Sequence, residues 1–108
     1  MARLMSSTEL HARMESDNEF VLVDVLSPEN YHQEHIPGAI NIPLEKLKDV
    51  ASLQLNKNQR IIVYADDHES QTSNQAAMVL EGMGYRKVSD FDGGLHAWKQ
   101  AGFETSQP

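Results

Sequence analysis

The side chains best suited to chemistry in this sequence are concentrated in one short segment, residues 65–73. The segment holds carboxylates, an imidazole and hydroxyls; its members are Ala65, Asp66, Asp67, His68, Glu69, Ser70, Gln71, Thr72 and Ser73. These residue types allow hydrolysis by a Ser70 nucleophile, with His68 as base and Asp67 as the orienting acid. Neighbours on one loop seldom reach triad geometry, so turn or helix-capping roles for the hydroxyls are the preferred prediction.

Metal and thiol chemistry have less support. His32 and His35 are three residues apart, a helical spacing, but a zinc site needs further ligands and none is suitably spaced. The sequence contains no cysteine, which excludes disulfides, thiolate metal sites and thiol catalysis by this chain. We therefore predict no metal and no cofactor.

The elements on either side of segment 65–73 determine what it can bind. Residues 61–64 are a continuous apolar run typical of a buried parallel strand, and an apolar stripe from residue 73 to residue 83 predicts a helix. Open α/β folds bind ligands at such a strand end and helix start, where backbone N–H groups attract anions. The acidic side chains oppose that attraction. The alternative is that they only solvate a surface loop while Ser73 caps the helix.

The remaining pattern alternates strands and helices along the chain. Further strands are predicted at 20–25, 39–42 and 87–91, and further helices begin near Ser6, Pro28, Pro43 and Leu95. Met1 to Met5 is predicted to be a frayed end and Glu104 to Pro108 a tail. The alternation predicts one α/β domain spanning residues 1–108, with its core at about 6–103, short flexible ends and a mostly parallel sheet covered by helices on both faces.

Charge and hydropathy limit the partners. The 108-residue chain has a formal net charge of −7, which argues against nucleic acid and anionic membrane surfaces as partners. No apolar stretch approaches the roughly 20 residues needed to cross a bilayer, and the first ten residues lack the apolar core of a signal peptide. The expected location is the cytoplasm.

Three motifs in order resemble those of rhodanese-like domains, the single-domain rhodanese/sulfurtransferase family. They are LVDVLSPENYHQEHIPGAINIPL at 22–44, IIVYADDHESQTSNQAAMVLEGMGY at 61–85 and VSDFDGGLHAWKQAGF at 88–103. The positions that match the family signatures include Asp24, Tyr31, His35, Ile36, Pro37, Gly38, Ala39, Asn41, Pro43, Gly93, Gly94, Trp98 and Gly102. The resemblance implies a three-layer α/β/α fold.

The matching positions also have a purely structural interpretation. Pro37-Gly38 and Gly93-Gly94 predict sharp backbone turns. Asp24 and His35 are predicted to hydrogen-bond to each other as structural anchors at the end of the sheet.

The departures from the family pattern decide the functional prediction. Rhodaneses form a persulfide on a loop cysteine; that position matches Ser70 here or, in the other register, Ala65. Leu26 stands where the family commonly has Arg. We predict a non-enzymatic binding or regulatory module whose partner at loop 65–73 is another protein or a small non-anionic ligand. The alternatives are a sulfurtransferase in which serine replaces a native cysteine and, more remotely, a serine-based hydrolase.

Overall fold

The structure, a computed structural model, describes residues 2–16, 19–66 and 69–107. The strands are β1 Arg3–Leu4, β2 Val21–Asp24, β3 Ile40–Asn41, β4 Arg60–Tyr64 and β5 Lys87–Phe91. The helices are α1 Ser7–Glu15, α2 Pro28–Gln33, α3 Leu47–Gln54, α4 Thr72–Gly82 and α5 Gly94–Gln100. A 3-10 turn at Leu44–Lys46 leads directly into α3.

The five strands form one sheet in the order β1-β5-β4-β2-β3, and all of its pairings are parallel. β4 lies between β2 and β5, with Val63 opposite Val23 on one side and Asp90 on the other. This central position explains its continuous apolar sequence, because a parallel strand covered on both faces has no solvent side. The predicted mostly parallel sheet is confirmed.

Two apolar layers cover the faces of the sheet. Ile61 and Val63 pack on one face with residues of α3 and α4, whereas Ile62 and Tyr64 pack on the other with α1 and α5. Alternate strand residues thus serve different layers, as the pleat of a strand requires. The three-layer α/β/α architecture is confirmed.

Several local predictions hold. The Oγ of Ser6 accepts a hydrogen bond from the Glu9 N–H at 3.1 Å, which caps α1. Ser27 caps α2 in the same way, with Pro28 at the first helical position. Leu53 is 82% exposed one residue before the end of α3.

Both ends of the chain are more tightly attached than predicted. Arg3 and Leu4 pair with β5 and Met5 is buried, so the prediction of a frayed start is wrong for these residues. Near the other end, Ser106 forms a bridge with His35, with N···O distances of 2.8 and 3.0 Å. Neither attachment could be predicted from the sequence, because each consists of backbone hydrogen bonds, which leave no hydropathy pattern. Among the described residues, no helix has the length and apolar character to cross a membrane.

Candidate functional site

The loop after β4 is fixed at its start by α5. The Ala65 and Asp66 carbonyl oxygens accept hydrogen bonds from the N–H groups of Leu95 and His96, each at 2.9 Å. Gly94 allows this approach: its φ is +63°, and a Cβ there would lie 2.6 Å from the Ala65 carbonyl oxygen. The glycine pair predicted to form a turn therefore also attaches the loop to α5.

The other end of the loop is fixed by the start of α4. Gln71 caps the helix with a left-handed backbone, φ 58°, the one positive φ at a non-glycine among the described residues. The Ser70 Oγ accepts from the Thr72 N–H at 3.4 Å, which agrees with the predicted turn role of this hydroxyl. The prediction that Ser73 caps α4 is wrong, because Ser73 lies buried inside the first turn.

The predicted hydrolase constellation cannot be assembled from the described part of the chain. Asp67 and His68 lie outside the described residues, so their relation to Ser70 stays a prediction. Among the residues that the structure does describe, no group of three or more histidine, cysteine, aspartate or glutamate side chains could hold a metal ion.

A cleft of about 670 Å³ opens beside the loop, between α2 and α5. Asp66 and Leu26 lie on its wall together with four side-chain amides, those of Asn30, Gln33, Gln100 and Gln107. The Lys99 Nζ lies 2.8 Å from a Glu34 carboxylate oxygen, so the cation of this wall is already paired. Hydrogen bonds from Lys99 and Thr105 lower the pKa of Glu34. The cleft is thus rich in neutral polar groups.

A buried hydrogen-bond network lies at the end of the sheet where β2 and β4 finish. The Asp24 carboxylate accepts from the Leu26 N–H at 2.9 Å and from the Tyr64 hydroxyl at 2.8 Å. The Tyr64 oxygen in turn accepts from the Ile36 N–H at 3.0 Å. Burial raises the pKa of Asp24, and the hydrogen bonds from the Leu26 N–H and the Tyr64 hydroxyl oppose the rise. The network joins β2, β4 and the turn after α2.

The predicted hydrogen bond between Asp24 and His35 is therefore wrong. The His35 Nδ1 lies 2.8 Å from the Tyr31 carbonyl oxygen, and its ring stacks on that of Tyr31 at 3.9 Å. The side chain that hydrogen-bonds to Asp24 is Tyr64, whose hydroxyl reaches it from the neighbouring strand. The predicted turn at Pro37-Gly38 is confirmed by the φ of +86° at Gly38 and a 3.1 Å bond from the Ala39 N–H to the Ile36 carbonyl.

Asp90 is a residue that the sequence analysis missed. It is 1% exposed near the end of β5, and neither carboxyl oxygen has a hydrogen-bond partner of normal geometry within the described chain. Burial raises its pKa, the nearby Ser73 hydroxyl lowers it, and the Asp92 charge raises it further. The available signal was one acid inside an otherwise strand-like sequence, VSDF.

Comparison with known proteins decides the family. The model of the rhodanese-like domain matches residues 6–101, nearly the whole described fold. The chain belongs to the rhodanese-like domain family. A similar architecture is found in the solution structure of a rhodanese-like domain from Anabaena, with a TM-score of 0.91 and 35% identity over 100% of this chain and 81% of that chain.

Two curated relatives carry different functional names. Thiosulfate sulfurtransferase PspE of Escherichia coli is 42% identical over 66% of this chain and 67% of its own length. An HTH-type transcriptional regulator of Mycobacterium tuberculosis is 33% identical over 95% of this chain, which spans only 44% of the regulator. Segments similar to this chain therefore occur both in a protein named as a thiosulfate sulfurtransferase and within a longer protein named as a transcriptional regulator.

Proposed function

We propose that this rhodanese-like domain is a non-catalytic binding module whose partner contacts loop 65–73 and the cleft beside it. The observation that carries the proposal is the absence of cysteine from the whole sequence. A rhodanese persulfide requires a thiolate, and neither the hydroxyl of Ser70 nor the methyl group of Ala65 can form one.

The electrostatics of the loop support the same proposal. Asp66 and Glu69 are exposed on the loop that leads to α4, and Leu26, an uncharged residue, lines the cleft where the family commonly has Arg. Full negative charges oppose the weaker attraction of a helix start for anions. An anionic sulfur donor would therefore find little stabilisation here.

The cleft favours a partner that offers neutral polar groups. Its amide side chains can donate and accept hydrogen bonds, which matches the backbone of a polypeptide or a small non-anionic ligand. The regulator among the relatives is consistent with a protein partner, because it contains a similar domain within a longer chain. Nucleic acid and membranes are not proposed partners, since the net charge is −7.

The second candidate function is sulfur transfer, favoured by the relative named as a thiosulfate sulfurtransferase. It would require that a serine replaces a native cysteine in this sequence. The purified chain should give no thiocyanate above the enzyme-free blank when it is incubated with thiosulfate and cyanide. Turnover above that blank would refute the non-catalytic proposal.

Partner binding is tested by affinity capture from the source cell with a matched pair of variants. Gln33→Arg with Gln100→Arg alters the cleft, whereas Lys46→Gln with Lys48→Gln alters the 3-10 turn and α3. We expect a reproducible partner that the wild-type domain and the lysine variant retain and the glutamine variant loses. Equal retention by all three proteins would place the binding surface elsewhere.

A further inference from the structure

All four arginines of this acidic chain line one pocket. Arg3 is in β1, Arg13 in α1, Arg60 begins β4 and Arg86 precedes β5, yet all four border a cavity of about 240 Å³. Lys87 adds a fifth cation, and Glu81 is the one carboxylate among the lining residues that the structure describes. Five of the nine Lys and Arg residues thus meet at one place in a chain of net charge −7.

The pocket lies at the opposite end of the sheet from loop 65–73. Arg60 and Lys87 are the first residues of two neighbouring parallel strands, β4 and β5, and are paired in register. The loop follows the last residue of β4. The arginine pocket is therefore separate from the candidate site and is not explained by the proposed function.

Salt bridges do not account for the clustering. Glu9 pairs with Arg3 and lies 3.8 Å from an Arg13 nitrogen, so one carboxylate serves two guanidinium groups. In the described chain, neither Arg60 nor Arg86 has an ion-pair partner. The Arg13 Nε is enclosed and lacks a hydrogen-bond acceptor among the described residues. The pocket retains donors that an anion could satisfy.

The chemistry of the lining selects the class of anion. Guanidinium groups bind phosphate oxygens with two parallel hydrogen bonds, and a concave site lined mainly by positive charge raises the local concentration of anions. A volume of about 240 Å³ holds about eight water molecules at ~30 Å³ each, which suits two or three linked phosphate groups. Apolar Met5 and Ile62 border the pocket beside the cations, so part of its wall is low in polarity.

We propose that this arginine pocket, bordered by Arg3, Arg13, Arg60, Arg86 and Lys87, is a binding site for a small anion with two or three linked phosphate groups. The site is independent of loop 65–73. A single sulfate should bind more weakly, because it cannot reach guanidinium groups contributed by several elements at once.

Calorimetry with inorganic tripolyphosphate at about 0.15 M salt tests the site. We expect saturable binding of one anion per chain. Arg60→Gln with Arg86→Gln should weaken binding at least about tenfold, because two exposed charge-assisted contacts are removed. Lys46→Gln with Lys48→Gln changes the net charge equally on another surface and should change the affinity by less than about twofold. Equal losses in the two variants, or no saturation, would show only general attraction and overturn the proposal.

Three further measurements test the location, the ligand class and the guanidinium contacts. Amide NMR shifts on addition of tripolyphosphate should concentrate at residues 60–62 and 86–89; shifts confined to 69–75 would refute the assignment. Citrate carries carboxylates in place of phosphates and should bind at least about tenfold more weakly, since it lacks tetrahedral phosphate groups. Equal binding of citrate would refute phosphate selectivity. Arg13→Lys, which keeps the charge but loses the planar fork, should also weaken tripolyphosphate binding.

Discussion

Ser70 and Ala65 are the two positions at which a sulfur atom could be introduced into the loop, and their surroundings differ. Ala65 is 1% exposed, packs in the apolar layer and has its carbonyl bound to α5. Ser70 is exposed on the far part of the loop. A thiol at either position would have a raised pKa, from burial at residue 65 and from the nearby carboxylates at residue 70.

Cysteine substitution at these positions should therefore give little sulfur transfer. Ala65→Cys and Ser70→Cys are each expected to remain near the blank, whereas Ser70→Cys combined with Asp66→Asn and Glu69→Gln should gain activity. The measurements are thiocyanate formation and the pH dependence of thiol alkylation. A low thiol pKa and rapid transfer in Ser70→Cys alone would contradict the electrostatic explanation and favour replacement of a native cysteine.

The carboxylates of the loop should also control anion binding directly. The wild-type chain should show no detectable thiosulfate or sulfate at the loop by NMR at physiological salt, because full charges outweigh the helix dipole. Changing Asp66, Asp67 and Glu69 together to the amides should allow weak binding, seen as shifts at residues 70–75. Unchanged spectra would mean that these acids point away from the start of α4.

At the scale of elements, β5 and α4 meet around a buried acid. Asp90 is nearly inaccessible beside Ser73 and Asn74 of α4, and burial raises its pKa. An acid whose pKa is raised by folding contributes most to stability when the pH is below its pKa in the unfolded chain. That contribution is lost as the pH rises through its pKa in the folded protein. Asp90 should therefore reduce the free energy of unfolding at neutral pH.

Asp90→Asn removes this titration with little change in shape. At pH 7 the variant should be more stable than the wild type by roughly 1–3 kcal/mol, because burial of an ionised carboxylate is no longer required. The difference should shrink toward zero near pH 4 as Asp90 becomes protonated. Urea titrations at both pH values measure it, and a constant difference would show that Asp90 does not titrate between them.

The elements themselves were largely predictable, whereas several contacts between them were not. The apolar runs and the Ser6 and Ser27 caps predicted β4, α1 and α2, because these signals are local. The Tyr64 bond to Asp24 joins residues 40 apart, and no local pattern reports it. Gln71, in a left-handed conformation, holds the cap position of α4 that was predicted for Ser73, and Ser73 lies buried in the first turn. The family motifs predicted a site at loop 65–73, and the structure adds a cleft beside that loop.

Across the whole molecule, we expect stability and binding to depend on different regions. Trp98 is 2% exposed, meets Phe91 edge to face at 6.5 Å between ring centroids and donates from Nε1 to the Glu104 carbonyl at 2.7 Å. It joins α5 to the sheet and to the end of the chain. Asp66 and Glu69, the loop acids that the structure describes, are exposed.

Trp98→Ala should lower the free energy of unfolding by about 3–5 kcal/mol, the usual cost of removing a large buried aromatic side chain. The triple amide variant at Asp66, Asp67 and Glu69 should change it by only about 0.5 kcal/mol, as exposed substitutions usually do. Denaturant titration of both variants beside the wild type makes the comparison. Similar losses would show that the acidic loop is a structural part of the fold.

The double attachment of the loop has a consequence for engineering. Its first two carbonyls are bound to α5, and Gln71 directly precedes α4, so a longer segment inserted between 66 and 71 would still start and end at fixed points. Each doubling of a flexible loop costs only ~0.6 kcal/mol. We therefore expect the domain to serve as a display scaffold, with foreign peptides inserted in the loop after β4 while the sheet stays folded.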